Sequence, residues 1–250
     1  MLYWDGKRLR QRARAVLKGH YLEMFFVSLV CSLVTGALRM TLEIRNGIKI
    51  RELINGDWYL PYAIRQLLPS LTFTTVAVGL AGICWRLFIS NPLEVGESRY
   101  FTLCRYGEYD WENTLFAYRS GKYRHIVGTM VVRDIKILLW GLLFIIPGII
   151  KSYEYFMVPY IMAENPRMDR ARAFEISSAV TRGDKWRMFA LDLGFFALYL
   201  LLAVLTLGVG IVFLMPYHKA ARAELYGGLR YKGAKTGAFT ASELGAELFN

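Results

Sequence analysis

Six ionisable residues lie inside long apolar stretches of the chain, where a charge is costly unless it is paired or solvated. They are Arg133, Asp134, Lys136, Lys151, Glu154 and Asp192. Charges at such positions either line a polar cavity or relay, or turn toward a membrane interface and form structural ion pairs. Because all six lie within a few turns of a segment end, the sequence favours structural ion pairs and leaves the cavity as the alternative.

Lys151 and Glu154 form the clearest pair among these charges. Their i, i+3 spacing places both side chains on one face of a helix. They lie on a short apolar arm directly after a Pro-Gly helix break. We therefore expect an ion pair between them, at the outer mouth of a polar cavity.

No established catalytic or nucleotide-binding motif accompanies these charges. The patterns H-E-x-x-H, G-x-S-x-G, P-loop and G-x-G-x-x-G are absent from the sequence. Each histidine lies where a polar loop meets an apolar segment, a common position, so a shared metal is the weaker interpretation. The cysteines are odd in number and lack C-x-x-C spacing. The sequence therefore predicts no enzyme activity, no cofactor and no metal. The histidines are His20, His125 and His218, and the cysteines are Cys31, Cys84 and Cys104.

The elements that position these residues follow from composition. Of the 250 residues 55% are hydrophobic, and the mean hydropathy is +0.29, whereas soluble domains are typically about 45–50% apolar. The apolar residues gather into long blocks that a water-facing fold cannot cover. We therefore predict an all-α, polytopic membrane bundle. Its first apolar block begins at Tyr21 and is expected to be an uncleaved anchor.

Six membrane-embedded segments are expected from these blocks. Two of the blocks are too long for one crossing and contain helix-breaking residues, so each is interpreted as a hairpin. The first breaks at Ile146-Pro147-Gly148, and its second arm is short enough to be either spanning or re-entrant. The second breaks at Leu207–Gly210, with Gly208 and Gly210 as turn residues. The expected segments are 22–42, 69–90, 126–146, 149–163 and the two arms of 188–217.

The basic residues indicate how these segments are oriented. Residues 1–20, 92–124, 164–187 and 218–250 hold 22 of the 31 Lys and Arg residues, whereas residues 43–66 hold four and the hairpin turns hold none. Cytoplasmic loops carry an excess of Lys and Arg. Two hairpins place all four basic segments on one side, so both termini are expected in the cytoplasm.

The sequence is expected to divide into three parts. Residues 1–20 form a basic amphipathic helix on the inner membrane surface, with an ordinary solvated helix as the alternative. Residues 21–226 form the membrane domain, with cytoplasmic loops 92–124 and 164–187. Residues 227–250 are expected to be a mobile cytoplasmic tail.

Both cytoplasmic loops have local features of their own. Aromatic residues interleaved with arginine in 92–124 are interpreted as an interfacial belt, in preference to a surface for single-stranded nucleic acid. In 164–187, Asp169 is expected to be a helix N-cap and Gly183 the residue after the helix end.

Several stretches resemble one known family. The run LWGLLFIIPGIIKSYEYFMVPYIMAENP begins at Leu139 and is followed by AFEISSAVTRGDKWRMFALDLGFF and LTLGVGIVFLMPYHKAARAELY. With RARAVLKGHY and NPLEVGESRYF nearer the N-terminus, these runs resemble the bacterial membrane-protein family catalogued as domain of unknown function 975. The resemblance extends to about Tyr226. It implies a bacterial cytoplasmic-membrane protein without an assigned activity, and it supplies no catalytic residues.

A more distant similarity involves the P-G-I turn and the T-R-G-x-x-W helix entry. Both are similar to the membrane domain that accompanies some glycerophosphodiester phosphodiesterases. The chain has no counterpart of that enzyme's catalytic domain, so the similarity implies no phosphodiesterase activity.

Two functions agree with these features. In the first, the bundle binds or moves a small solute, ion or lipid through a polar cavity between its broken hairpins. In the second, it is a non-transporting scaffold or partner subunit with a basic cytoplasmic face. A water-filled cavity reaching Glu154 and Asp192 favours the first, and a sealed bundle with an apolar lateral groove favours the second. The paired helix breaks favour the first.

The expected partners are membrane lipids, with anionic headgroups at the cytoplasmic face. Nucleic acid is not expected, because the net charge of +11 is divided among four separate segments. A protein partner and a homo-oligomer both stay open.

Overall fold

The computed structural model describes residues 4–36, 74–240 and 242–244, and the regular elements in these ranges are all helical. The all-α prediction is therefore confirmed for this part of the chain. The predicted loop 43–66 and parts of the first two predicted segments lie outside the described residues. A π-helical turn at Arg86–Ser90 joins α3 to α4, and a 3-10 turn at Trp111–Leu115 precedes α5. The α-helices are α1 Gly6–Leu17, α2 Tyr21–Gly36, α3 Thr74–Trp85, α4 Asn91–Cys104, α5 Phe116–Arg119, α6 Tyr123–Leu143, α7 Ile145–Glu154, α8 Val158–Glu164, α9 Arg170–Thr181, α10 Lys185–Leu205 and α11 Gly210–Thr236.

The first hairpin consists of α6 and α7 and turns at Phe144, whose backbone is extended (φ −157°, ψ 147°). The two helices touch near the turn, where a Cβ on Gly148 would lie 2.7 Å from the Cα of Gly141. Pro147 lies in the first turn of α7, where a helix makes no bond from the backbone N–H. The break therefore comes earlier than the predicted Ile146-Pro147-Gly148, because here the proline begins a helix.

The arm that returns from this turn is interrupted. α7 has ten residues, or about 15 Å, which is half of a hydrocarbon core of about 30 Å. The chain then turns and continues as α8, whose residues Val158–Ala163 are all buried. The prediction that 149–163 forms one membrane arm is wrong, because the apolar second half of that range packs inside the protein.

The second hairpin consists of α10 and α11, and its turn lies at the predicted break. Leu207 (φ 51°) and Gly208 (φ 93°) both have left-handed backbones, which glycine adopts readily and leucine does not. The Thr206 hydroxyl accepts a hydrogen bond from the backbone N–H of Gly210 at 2.6 Å. Leu207 is 95% exposed, so the turn presents a large apolar side chain to its surroundings.

The four basic segments predicted to share one side of a membrane pack into a single body. α1 lies along α11, and Tyr109 donates a hydrogen bond to the carbonyl of Val16 at 3.3 Å. In α9, Arg172 binds Glu243 through an Nε–Oε1 hydrogen bond of 2.7 Å. Segments that are far apart in sequence therefore meet at the end of the molecule opposite the hairpin turns.

α4 is a central helix of this body, although it lies in the predicted loop 92–124. Tyr100 and Phe101 are buried in the hydrophobic core, whereas Trp111 is 59% exposed. The predicted interfacial belt is therefore wrong for Tyr100 and Phe101. Sequence alone does not show that other helices cover these two rings.

The C-terminal part of the chain is also packed rather than free. α11 continues past the predicted boundary at residue 227 to Thr236, and Leu229 and Phe239 are buried. This corrects the predicted mobile tail for residues 227–240. The physical cause is a set of contacts to α9, including the pair formed by Arg172 and Glu243.

α9 begins and ends as predicted. The Asp169 carboxylate accepts hydrogen bonds from the backbone N–H groups of Ala171 and Arg172 at 2.9 and 3.3 Å. Gly183, just beyond the helix end, has a φ of 85°. The N-cap and the glycine after the helix are both confirmed.

α1 is the predicted basic helix, and Asp5 caps its N-terminus by accepting from the backbone N–H of Lys7. Its apolar residues Leu9, Ala13 and Leu17 are buried, and the helix packs against α11. The apolar face is therefore covered by protein, and the predicted position of this helix on the inner membrane surface stays a prediction. Only the basic face remains available to lipid headgroups.

Exposed apolar side chains concentrate on α2, on α3 and around the two hairpin turns. Among the described residues, α10 is the one helix long and apolar enough to cross a membrane, and a second crossing results if α1 and α2, bent by 102°, count as one. This pattern is compatible with a membrane location. The most exposed apolar side chains around the turns are Leu142, Phe144, Ile145, Ile146, Val204, Leu205 and Leu207.

Candidate functional site

A cavity of about 270 Å³ lies among α4, α6, α7, α8 and α11. Phe156, Pro159 and Tyr160 line its end next to α8, whereas Ile137 and Ser152 line it on the hairpin arms toward the turn. The cavity lining therefore extends from α8 onto the arms of the first hairpin. Its charged lining side chains are Glu94 and Glu97 from α4, Arg133 from α6, and Lys219 and Arg222 from α11.

Arg133 is the most fully bonded cation of the cavity. Its guanidinium donates to both carboxylate oxygens of Glu94, at 2.6 and 2.9 Å, and to Asp134 at 2.9 and 3.2 Å. The second oxygen of Asp134 accepts from Arg86 at 3.3 Å and from Asn91 at 3.1 Å. Burial raises the pKa of the Glu94 carboxyl, but the charge and hydrogen bonds of Arg133, together with the charges of Arg86 and Arg222, lower it, and the net shift is downward. Glu94 therefore stays ionised and Arg133 has few donors to offer a ligand.

Glu97 and Lys219 form the second ion pair of the wall. Burial raises the pKa of Glu97 above its ordinary value, although Lys219 acts in the opposite direction. Of the two cavity carboxyls, Glu97 is therefore the one that takes up a proton more easily. Protonation there would leave Lys219 without its charged partner.

Arg222 is the least bonded cation of the wall. Its shortest contact to a carboxylate is 3.6 Å, to Asp192, and the guanidinium lies 5.1 Å from the centre of the Phe156 ring. Asp192 is already occupied, since one oxygen lies 3.2 Å from His218 and the other accepts from Tyr153 at 3.1 Å. Within the described residues, Arg222 donates no hydrogen bond, and its Nε is buried without a partner.

The ion pair predicted between Lys151 and Glu154 is present, with a distance of 2.7 Å. Lys185 also binds Glu154, at 2.6 Å, and the Glu154 carbonyl accepts from Ser177 of α9 at 2.6 Å. The predicted position at an outer mouth is wrong. Since α7 returns from the turn within ten residues, Glu154 reaches the end of the molecule that contains α9.

The remaining predicted residues have separate environments. The Lys136 ammonium lies over the ring of Phe174, 3.9 Å from its centre, and does not line the cavity. His20 stacks on Tyr109 with 3.7 Å between ring centres. His125 lies 2.8 Å from the carbonyl of Met168. The described histidines therefore contact different partners.

Four of the five charged residues of the cavity wall are not among the residues predicted from the sequence: Glu94, Glu97, Lys219 and Arg222. They lie in 92–124 and 218–250, two of the basic segments predicted to be on the cytoplasmic side. A signal was present, because Glu94 and Glu97, and likewise Lys219 and Arg222, have the i, i+3 spacing that places two charges on one helix face. Of the six predicted residues, Arg133 lines the cavity, and Asp134 and Asp192 contact its lining residues.

An apolar groove of about 660 Å³ lies between α2 and the segment from α4 to α5. Val30 and Val34 of α2 form one wall, and Leu93 and Tyr100 lie opposite. The groove is distinct from the charged cavity, since the described lining residues of the two do not overlap.

In the described residues, fold and site together define an all-α protein with a partly open, charged cavity between its helices. Residues 111–232 match the model of the family described as Protein of unknown function (DUF975). This match confirms the family resemblance for residues 111–232, whereas the runs RARAVLKGHY and NPLEVGESRYF lie outside the matched range. No curated protein and no solved structure matches the chain. The similarity to the phosphodiesterase-associated membrane domain stays a prediction.

Proposed function

We propose that this chain is a multi-pass protein of the bacterial cytoplasmic membrane that binds a small charged molecule in its central cavity. The observation behind this proposal is the cavity itself, with five charged side chains in its wall and apolar helix turns beyond it. Charges enclosed by membrane helices are costly and commonly serve a polar ligand or its pathway. The role is transport-like or ligand-binding, and the proposal includes no enzyme activity.

The proposed topology has six membrane-embedded segments with both termini in the cytoplasm. Support comes from the body in which the four basic segments meet, together with the excess of Lys and Arg in those segments. The first hairpin is re-entrant, because α7 covers about half of a hydrocarbon core. Anionic headgroups would contact the exposed basic face of α1.

Cysteine labelling in intact cells tests this topology. In a Cys84→Ser background the other two cysteines are buried, so an introduced cysteine gives the signal. We expect an impermeant maleimide to label a cysteine at Asn55 from outside, and to label cysteines at Asp110 and Glu175 only after permeabilisation. Labels at Asp110 and Glu175 from opposite sides would contradict the two-hairpin arrangement.

A second labelling experiment tests the cavity. Ser98 lines the cavity and is 8% exposed, so a cysteine there reacts only if water and small ions enter. We expect Ser98→Cys to react with a small charged methanethiosulfonate in membranes. Ser28→Cys is the matched control, because Ser28 is 1% exposed and lies away from the cavity. Equal protection of both cysteines would contradict a solvent-filled binding cavity.

The apolar groove supports a second candidate, a scaffold or partner subunit. The groove of about 660 Å³ between α2 and the segment from α4 to α5 suits an apolar segment of another protein as well as a lipid chain. A photo-crosslinking residue in place of Val30 distinguishes the scaffold role from the ligand-binding role. The scaffold role predicts an adduct with a specific protein, whereas the ligand-binding role predicts adducts with lipid.

A further inference from the structure

The charged cavity contains more unused hydrogen-bond donors than unused acceptors. A guanidinium has five N–H donors, and Arg222 donates none of them within the described part of the chain. Lys219, one helical turn earlier on the same face, uses one donor on Glu97. The acceptors are largely occupied, since both Glu94 oxygens bind Arg133.

Asp192 does not satisfy Arg222. At 3.6 Å their contact is longer than a hydrogen bond. The two oxygens of Asp192 are directed at His218 and Tyr153. Arg222 is therefore held in the cavity wall by charge attraction and by the ring of Phe156, with its fork of donors left for another acceptor.

We propose that Arg222, assisted by Lys219, binds the oxyanion of a phosphate ester in this cavity. The planar fork of arginine matches two oxygens of a phosphate, and lysine adds a point charge. In a membrane, phosphate esters are present as lipid headgroups at the interface, and the same chemistry suits a soluble phosphate ester. This inference rests on the proposed ligand-binding function and specifies its ligand class.

Calorimetric titration of the full chain in a maltoside detergent, which has no phosphate, tests the inference. The probes are sn-glycerol 3-phosphate and dioctanoyl phosphatidylglycerol, with glycerol and dioctanoylglycerol as uncharged controls. We expect binding of a phosphate ester and none of the controls. Binding of the diacyl ester alone identifies a lipid headgroup as the source, and equal binding of both esters identifies a soluble phosphate.

Variants then assign the binding to Arg222. Arg222→Gln should weaken it about tenfold or more, since hydrogen bonds to a charged group contribute about 1.5–3 kcal/mol. Arg182→Gln is the matched control, because Arg182 is exposed and outside the cavity, and it should bind like the parent. If Arg222→Gln does not fold, Arg222→Lys keeps a charge beside Asp192 and should still bind severalfold more weakly.

Absence of phosphate-ester binding, or unchanged affinity in both Arg222 variants, would overturn the inference. The thiol experiment separates this result from failure of the proposed function. If Ser98→Cys reacts but neither ester binds, the ligand class is wrong and the binding cavity stands. If Ser98→Cys is protected, both proposals fail.

Discussion

Replacing Lys151 and Lys185 together with methionine should destabilise the protein by more than the two single replacements added. Both ammonium groups bind the one carboxylate of Glu154, at 2.7 and 2.6 Å. Either lysine can therefore satisfy Glu154 when the other is removed. The double replacement leaves Glu154 without a cation, although its side chain is only 14% exposed.

The expected magnitudes follow from these exposures. The lysine side chains are 24% and 28% exposed, so each single replacement should cost about 0–1 kcal/mol, as for a solvated pair. Stranding a buried charge costs about 3–5 kcal/mol, and partial exposure of Glu154 reduces this to about 2–3 kcal/mol. The coupling between the two lysines should then be about 1–2 kcal/mol.

The assay is an SDS titration of the detergent-solubilised protein, followed by tryptophan fluorescence. Lys18→Met, at an exposed position after α1, controls for the loss of a positive charge. If the stability lost in the double variant equals the sum of the losses in the two single variants, the two lysines do not share the Glu154 carboxylate. Single variants as stable as the parent, together with an unaffected double variant, would show that the three groups are solvated and unpaired.

Three further predictions use the same titration or thermal unfolding. Gly148→Leu should lower the free energy of unfolding by about 1–3 kcal/mol through overpacking against the facing helix. Pro147→Ala, in the first turn of α7, should lower it by less than about 1 kcal/mol. Equal effects of the two substitutions would contradict the close contact between the hairpin arms. The Arg133 side chain is only 8% exposed, so Arg133→Met should lower the free energy of unfolding by about 2–4 kcal/mol. This is less than the full cost of a stranded buried charge, because the carboxylate partner on α4 is partly open to the cavity. Arg133→Lys should restore part of the lost stability. A hydrogen bond from Arg172 lowers the pKa of Glu243 to about 2 from an ordinary value of 4.5. The stability that this pair adds is present above pH 4.5 and is lost as the pH falls toward 2. Glu243→Gln should therefore lower the unfolding temperature at pH 7 but not near pH 2. An equal loss of unfolding temperature at both pH values would contradict a stabilising ion pair between Arg172 and Glu243.

Local features of this fold could be predicted from the sequence because their causes are local. Asp169 and Gly183 mark the ends of α9 through short-range capping, and the glycine at 208 marks a turn with a left-handed backbone. The pair of Lys151 and Glu154 follows from spacing on one helix face. In each case the residues that determine the structure lie within one or two turns of each other.

The cavity depends on contacts that no local pattern encodes. Glu94 meets Arg133 across 39 residues of sequence, and this meeting requires α4 to enter the core. The run containing Tyr100 and Phe101 has mixed charge, so it reads as a loop until other helices are known to cover its apolar face. Lys219 follows an apolar block directly and resembles a charge that ends a membrane segment.

Membrane-facing and protein-facing apolar residues are also alike in composition. Val158–Ala163 are buried by other helices, whereas the apolar residues around Phe144 are exposed. Both stretches are apolar, so hydropathy does not distinguish the buried one from the exposed one. Only the packing of α8 against α4 and α9 separates them, which is why a single long arm was the simplest prediction from the sequence.

An experimental structure of the full chain in a lipid bilayer tests the central claim most directly. We predict that the turns at Phe144 and Leu207 lie within the hydrocarbon region, with the body formed by α1, α4 and α9 on the cytoplasmic side. We also predict non-protein density in the cavity, within hydrogen-bond distance of the Arg222 guanidinium. A cavity closed by protein side chains, or hairpin turns lying outside the bilayer, would contradict the proposed membrane binding protein.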